Sequence, residues 1–191
     1  TFLSSFVSVN PIALFLELQQ LDALGVRPEL FASPECLVTT FADVIINRRL
    51  EDQRGAGRHG SCGLGISETI ERSRIPELSI TMADLYNGGS ALEGKLVEIC
   101  DRYASFRTGK PIDEPKMAEA FLRACKELPR AVFPAGIGQC KDPCFEGSQG
   151  LLLDMGNAEY FPHVTRSHTG LKNVLALCAQ AGIDTIEPYY V

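Results

Sequence analysis

The sequence predicts an α/β fold, a largely parallel sheet flanked by helices. Three observations predict it. Apolar runs suited to strands alternate with stretches in which apolar residues recur at spacings of three and four, and Gly or Pro separates them. A chain of 191 residues with 45% hydrophobic and 22% charged content can also bury a core without disulfide staples. At roughly 150 residues per domain, one α/β domain over residues 1–191 is expected.

The chain opens on an apolar, strand-like run from Phe2 to Val9. Asn10-Pro11 then reads as a helix cap with proline at the first helical position, and Leu14, Leu18 and Leu21 follow on one face until Gly25. A short strand is expected around Leu30 to Ala32, and Thr40 caps a second helix carrying Val44 and Ile45 toward Leu50. Gly55 to Ser67 is a loop with five glycines, and Glu68 to Arg72 reads as a short polar helix. Leu92, Leu96, Ile99, Tyr103 and Phe106 form the apolar face of a long helix. Asp113 starts another, with Met117, Phe121, Ala124 and Leu128 on its core side and Pro129 at its end. A strand is expected between Ala131 and Gln149, and Leu151 to Leu153 reads as a buried apolar run. Leu171, Val174, Leu175 and Cys178 match a last helix closed by Gly182, and Thr185 to Val191 resembles a buried strand. Starting on Thr1 inside an apolar run and closing on Tyr189-Tyr190-Val191, the chain reads as incomplete at both ends.

Composition narrows the function. A net charge of −6 argues against general nucleic-acid binding, which needs clustered Lys and Arg. Apolar stretches are cut by Asn10, Pro11, Glu17 or Asp154 well short of a membrane helix, and no secretion signal is recognised, so the cytoplasm is expected. Seven cysteines, an odd set partly inside apolar helical patterns, read as free thiols of a reducing compartment.

The segment from Gly55 to Ile66 carries the strongest local chemistry. Glycines let a backbone turn its N–H groups toward an anion, Ser61 adds a hydroxyl, and a helix N-terminus follows, so phosphate binding is the natural expectation. No lysine follows a glycine there, which separates it from the GxxxxGK[ST] triphosphate loop. Cys62, near His59 and Arg58, leaves a cysteine nucleophile as an alternative. Cys140 and Cys144 could join His163 or His168 on zinc, although structural thiols are preferred and no metal site is assigned. In Phe145 to Asp154, Glu146, Gln149 and Asp154 interrupt an otherwise strand-like run, a local conflict of the kind that marks function. Gln149 can both donate and accept at a purine edge, and Thr165 with Arg166 could hold a phosphate.

With both segments in view, the chain resembles the middle of the adenylosuccinate synthetase family. Phe145-Glu-Gly-Ser-Gln-Gly-Leu-Leu-Leu-Asp154 matches the family's Phe-Glu-Gly-Ala-Gln-Gly-x-Leu-Leu-Asp motif, and Phe161-Pro-His-Val-Thr-Arg-Ser167 its Tyr-Pro-x-Val-Thr-Ser-Ser motif. Ser61-Cys-Gly-Leu-Gly-Ile66 echoes its Thr-Thr-Gly-Arg-Gly-Ile-Gly loop. The resemblance implies a GTP- and Mg2+-dependent ligase that phosphorylates the 6-oxo group of inosine monophosphate and lets the amine of L-aspartate displace that phosphate. Carried over by motif, Gln149 is the catalytic residue beside the 6-position, and Ser61, Cys62, Gly63 and Thr165 contact the 5′-phosphate. Arg72 matches the arginine that reaches this phosphate from the neighbouring subunit, which implies a homodimer. Cys62, Leu64 and Arg166 replace the family's threonine, arginine and serine, so a relative acting on another 6-oxopurine nucleotide such as a guanylate stays open. A non-catalytic purine-nucleotide-binding module is the other alternative. The family's triphosphate loop and acid histidine would precede Thr1, and its aspartate- and guanine-binding segments would follow Val191, so the isolated chain is expected to be inactive as a ligase.

Overall fold

The opening apolar run does not remain one strand. In the computed structural model, which describes residues 1–103, 114–140 and 142–189, a turn closed by Val7 N–H donating to Ser4 O (3.1 Å) splits it into β1 (Phe2–Leu3) and β2 (Ser8–Val9). The neighbouring run breaks in register at Ser33-Pro34 into β3 (Leu30–Ala32) and β4 (Leu37–Val38). Every strand pair is parallel, β1 on β3 and β2 on β4, and β3 also pairs with β5 (Val132–Pro134) to give the order β1-β3-β5. Ser79 to Asp84 adds an antiparallel bridge, Thr81 to Leu37.

The helices follow their sequence signals. Asn10 Oδ1 accepts from the N–H groups of Ile12 and Ala13 at 3.1 and 3.2 Å and starts α1 (Pro11–Ala23). Thr40 and Asp43 form a reciprocal capping box at the start of α2 (Phe41–Arg54). After α3 (Ile66–Ser73), the pair Thr81 and Asp84 caps α4 (Met82–Asn87) in the same way. Lys95, on α5 (Ser90–Arg102), ties this turn down by donating to Asp84 Oδ1 at 2.7 Å and Ser79 O at 2.8 Å. α6 (Glu114–Glu127) packs on α1, and α7 (Leu171–Ala181) ends at Gly182, whose φ of +66° is the left-handed turn that glycine favours.

The core lies between the sheet strands and the inner faces of α2, α5 and α6, where Ala32, Val38, Ile80, Ile99, Phe121 and Val132 are fully buried. Phe41 meets Phe121 edge to face with ring centroids 6.1 Å apart. Leu92, Leu96, Ile99, Phe121, Ala124 and Leu128 are all inside, as their spacing predicts. Phe106 and Asp113 lie outside the described residues.

Three expectations are corrected. Leu151–Leu153 is a 3-10 turn with exposed side chains, because Leu153 and Asp154 N–H groups close back on Gly150 and Leu151 carbonyls. Residues 185–189 carry no strand, and 190–191 lie outside the described residues. Leu175 faces outward, because α7 buries Leu177 and Cys178 instead.

Arg72 is the largest correction. Its side chain is completely buried, with Nη2 2.9 Å from Asp43 Oδ2 and Nε 2.9 Å from Asp43 Oδ1. Nη2 also donates to Val38 O at 2.8 Å, and Nη1 donates to Leu78 O. A guanidinium committed to four internal acceptors cannot extend into a neighbouring subunit. Removing one partner of such a pair strands a charge in the core, so Arg72→Leu should cost about 3 to 5 kcal/mol. Urea unfolding of the two proteins side by side measures this, and a loss under about 1 kcal/mol would contradict the structural role.

Candidate functional site

The glycine loop begins where α2 ends, in a 3-10 turn Gly55–Gly57, and finishes at Gly65, the left-handed N-cap of α3. Gly65 has φ +76°, and a Cβ there would lie 2.7 Å from the Asp43 carbonyl carbon and the Val44 nitrogen. Only glycine lets the loop close against the first turn of α2. Arg48 holds the preceding stretch by donating from Nε to Gly63 O at 3.1 Å.

Beneath the loop, α2 presents Asp43, Asn47 and Glu51, all buried and spaced by four so that they share one helix face. Their spacing is visible in the sequence as a polar stripe on a helix otherwise suited to a core, a signal that no motif carries. Glu51 accepts from Arg54 and from the backbone N–H groups of Gly60 (3.1 Å) and His59 (3.4 Å). Burial opposes its ionisation, but these bonds and one from the Ser61 N–H outweigh that and hold its carboxyl below the usual value. The loop's first N–H groups therefore cradle an internal anion, and the expectation that they face an external phosphate is corrected for His59 to Ser61.

Ser61 also turns its hydroxyl inward, with Oγ donating to Asn47 Oδ1 at 2.8 Å. Asn47 in turn bonds the Glu68 carboxyl, which burial pushes above the ordinary glutamate value against the opposing effect of that bond. Cys62 is exposed, and Arg58, a candidate to activate it, is paired with Asp52 at 2.6 Å. That leaves the cysteine-nucleophile alternative without its cation.

The fold brings the second motif region onto this loop. His163 donates from Nδ1 to His59 O at 2.9 Å, and the two imidazoles meet edge to face with centroids 6.4 Å apart. Arg166 lies 3.4 Å from Glu71 of α3, so its added charge is directed at that helix. Thr165 is half-buried and its N–H donates to Leu153 O at 2.8 Å. Gln149 is exposed, on a loop that runs beside 169–170: a Cβ at Gly147 would lie 3.6 Å from Thr169 O, and one at Gly170 would lie 3.7 Å from the Leu151 side chain. Asp154 anchors that junction. Its carboxylate accepts from Gly156 N–H (2.8 Å), Thr169 N–H (2.7 Å) and His168 Nδ1 (3.1 Å), and Lys172 Nζ lies 2.9 Å from His168 Nε2. The Gly156 and Thr169 bonds, with help from His168, drive the Asp154 carboxyl well below the usual carboxylate range.

With both histidines so engaged, the Cys140 and Cys144 zinc alternative has no site: among the described residues no three His, Cys, Asp or Glu side chains converge. All seven cysteines are free, and no described helix is long and apolar enough to cross a membrane.

Comparison with known proteins places these features. The model of the adenylosuccinate synthetase family matches residues 1–188. An adenylosuccinate synthetase of Alkalilimnicola ehrlichii is 34% identical over 177 residues, covering 85% of this chain and 40% of that one. Its counterpart from Acinetobacter baylyi is 31% identical over 175 residues, with 85% and 39% covered. Among solved structures, the fully ligated adenylosuccinate synthetase from Plasmodium falciparum superimposes with a TM-score of 0.70 at 16% identity, covering 95% of this chain and 43% of that chain, a likeness of fold. The chain thus spans about two fifths of the relatives it matches.

The Asp154 junction yields a pH test with a definite sign. A carboxyl whose folded pKa is depressed stabilises the fold above its unfolded value, about 3.9, and loses that contribution as pH falls through the folded value. The melting temperature of wild type should exceed that of Asp154→Asn most at neutral pH, and the gap should narrow below about pH 4. Calorimetric melts from pH 7 to pH 2 check this; a gap independent of pH would show that Asp154 acts by shape alone.

Proposed function

Because the chain belongs to the adenylosuccinate synthetase family, we propose that its residues 1–191 act as one α/β unit that binds a 6-oxopurine nucleotide, inosine monophosphate by preference, for ligation to L-aspartate in the complete enzyme. The observation that supports this reading is the junction of His59 and His163, 104 positions apart in sequence, which sets the glycine loop against the motif segment 161–167. The 5′-phosphate is assigned to the outer half of that junction: the Ser61 hydroxyl, the backbone at Cys62 and Gly63, and Thr165. Gln149 is assigned to the reacting 6-position, where a neutral amide can accept from a ring N–H and donate to the 6-oxygen.

Arg166 approaches Glu71 at 3.4 Å, but Glu71 is already paired with Arg74 at 2.8 Å, so the added positive charge is only partly offset and another 6-oxopurine nucleotide such as a guanylate is the second reading. GTP and Mg2+ belong to the complete enzyme of this proposal. Among the described residues no three metal-ligating side chains converge, so these residues do not fit a metal ion. A homodimer remains part of the proposal on family grounds, with no residue of this chain assigned to the partner's site now that Arg72 is internal.

Binding is the direct test. Calorimetric titration of the chain should show inosine monophosphate binding more tightly than inosine, the difference reporting the phosphate. Ser61→Ala and Thr165→Ala should each weaken the nucleotide by about three- to tenfold and leave inosine unchanged, as expected for single hydrogen bonds to a charged group. Equal affinities for nucleotide and nucleoside would place the phosphate elsewhere. In an enzyme of full family length carrying this segment, Gln149→Ala should lower kcat more than it raises KM.

A further inference from the structure

Asn47 and Glu68 stand one behind the other under Ser61, and neither belongs to a motif. Ser61 has one hydroxyl proton, and it points inward to Asn47 Oδ1 at 2.8 Å. Its backbone N–H is spent on Glu51. In this arrangement Ser61 presents lone pairs outward, the wrong polarity for a phosphate. The buried Asn47 amide has one acceptor end and one donor end, and with its acceptor on Ser61 its donor faces Glu68. Glu68 Oε2 is buried with no hydrogen-bond partner. An orphan oxygen is costlier on a carboxylate than on a neutral acid, so the site is built to tolerate a protonated Glu68.

We propose that Glu68, Asn47 and Ser61 form a hydrogen-bond relay in which protonation of Glu68 reverses the Asn47 amide and frees the Ser61 hydroxyl to donate to an anion at the glycine loop. When Glu68 is ionised, Asn47 donates to it and accepts from Ser61. When Glu68 is protonated, its O–H donates to Asn47 Oδ1, the Asn47 amide donates to Ser61 Oγ, and the Ser61 proton turns outward. Only one proton is gained, at Glu68, and no covalent bond changes. Asn47 and Glu68 are thus positioning residues for the phosphate contact.

The charged neighbours are consistent with titration above the ordinary range. Asp43 on α2 disfavours the anion, Arg54 on the same helix favours it, and Arg72 beside Glu68 on α3 is already neutralised by Asp43. Tyr103, at the end of α5, faces the same cluster, and Arg54 is shared with Glu51. Burial dominates over these, and it raises the Glu68 pKa.

This inference rests on the reading of the loop as a phosphate site, so two measurements separate them. In the first, NMR of the chain without nucleotide follows the Glu68 carboxyl carbon, the Asn47 side-chain amide and the Ser61 backbone amide from pH 4 to pH 8. All three should titrate together, and Glu68→Gln should abolish the transition at Asn47 and Ser61. A titrating Glu68 with an unmoved Asn47 overturns the relay. In the second, inosine monophosphate affinity is compared between wild type and Glu68→Gln, whose neutral amide imitates the protonated acid. The phosphate's own ionisation affects both proteins alike, so their ratio reports Glu68 alone. The affinity ratio of Glu68→Gln to wild type should rise toward about tenfold as pH rises and fall toward one as pH falls, and a ratio constant with pH overturns the relay's role in binding. Coupled titration by NMR with no nucleotide binding at any pH would instead overturn the phosphate reading and, with it, the relay's assignment to that ligand.

Discussion

A single carboxylate, Asp43, holds the centre of this fold by serving two partners at once. Through Oδ2 it accepts from the Thr40 backbone N–H (2.8 Å) and hydroxyl (2.9 Å), which starts α2, and both of its oxygens receive Arg72 of α3. Arg72 carries the connection onward to the carbonyls of Val38 in β4 and Leu78 before α4. Desolvating two charges costs several kcal/mol each, and a pair earns that back only when its remaining donors and acceptors are satisfied. Here Thr40, Val38 and Leu78 satisfy them. The pair therefore fixes how α3 leaves α2, and with it the span that the glycine loop must bridge.

From that clamp the loop acquires two unlike halves. Its start is held by Glu51, whose carboxylate gathers the N–H groups of His59, Gly60 and Ser61 as a bound anion would. Its end is held by Gly65, pressed against the Asp43 backbone. Between them Gly60 and Gly63, at φ +79° and +73°, turn the chain without strain. An external anion of the kind proposed would compete with Glu51 at the first half and meet no such rival at Cys62 and Gly63. That asymmetry is why the proposed phosphate site uses the later residues, the part that matches the family's motif.

Much of this was legible in the sequence, and the division has a physical basis. Helices with a clean period and a cap, such as those begun by Asn10 and Thr40, declared themselves because both signals are local. The motif segments were readable because each is contiguous. For Arg72 the motif match points to a neighbouring subunit, whereas its actual partner, Asp43, lies 29 positions away in the same chain, a separation that no local pattern reveals. Leu151 to Leu153 were misjudged because apolar content alone does not make a strand. The Asp154 carboxylate draws the chain toward Gly156 and Thr169 N–H groups and tightens the preceding residues into a turn.

The residues that support the loop escaped notice for a different reason. Asn47 and Glu51 make no motif and act only through the backbone or side chain that they hold. Their signature is instead a conflict of patterns, polar groups every fourth residue on a helix face that should be apolar. Such a face is tolerable only when something polar covers it, and on α2 the covering element is the glycine loop itself. The buried stripe and the loop thus explain each other: without Asn47 and Glu51 the loop's inward N–H and hydroxyl groups would lack acceptors, and without the loop Asn47 would keep only Glu68 and Glu51 only Arg54.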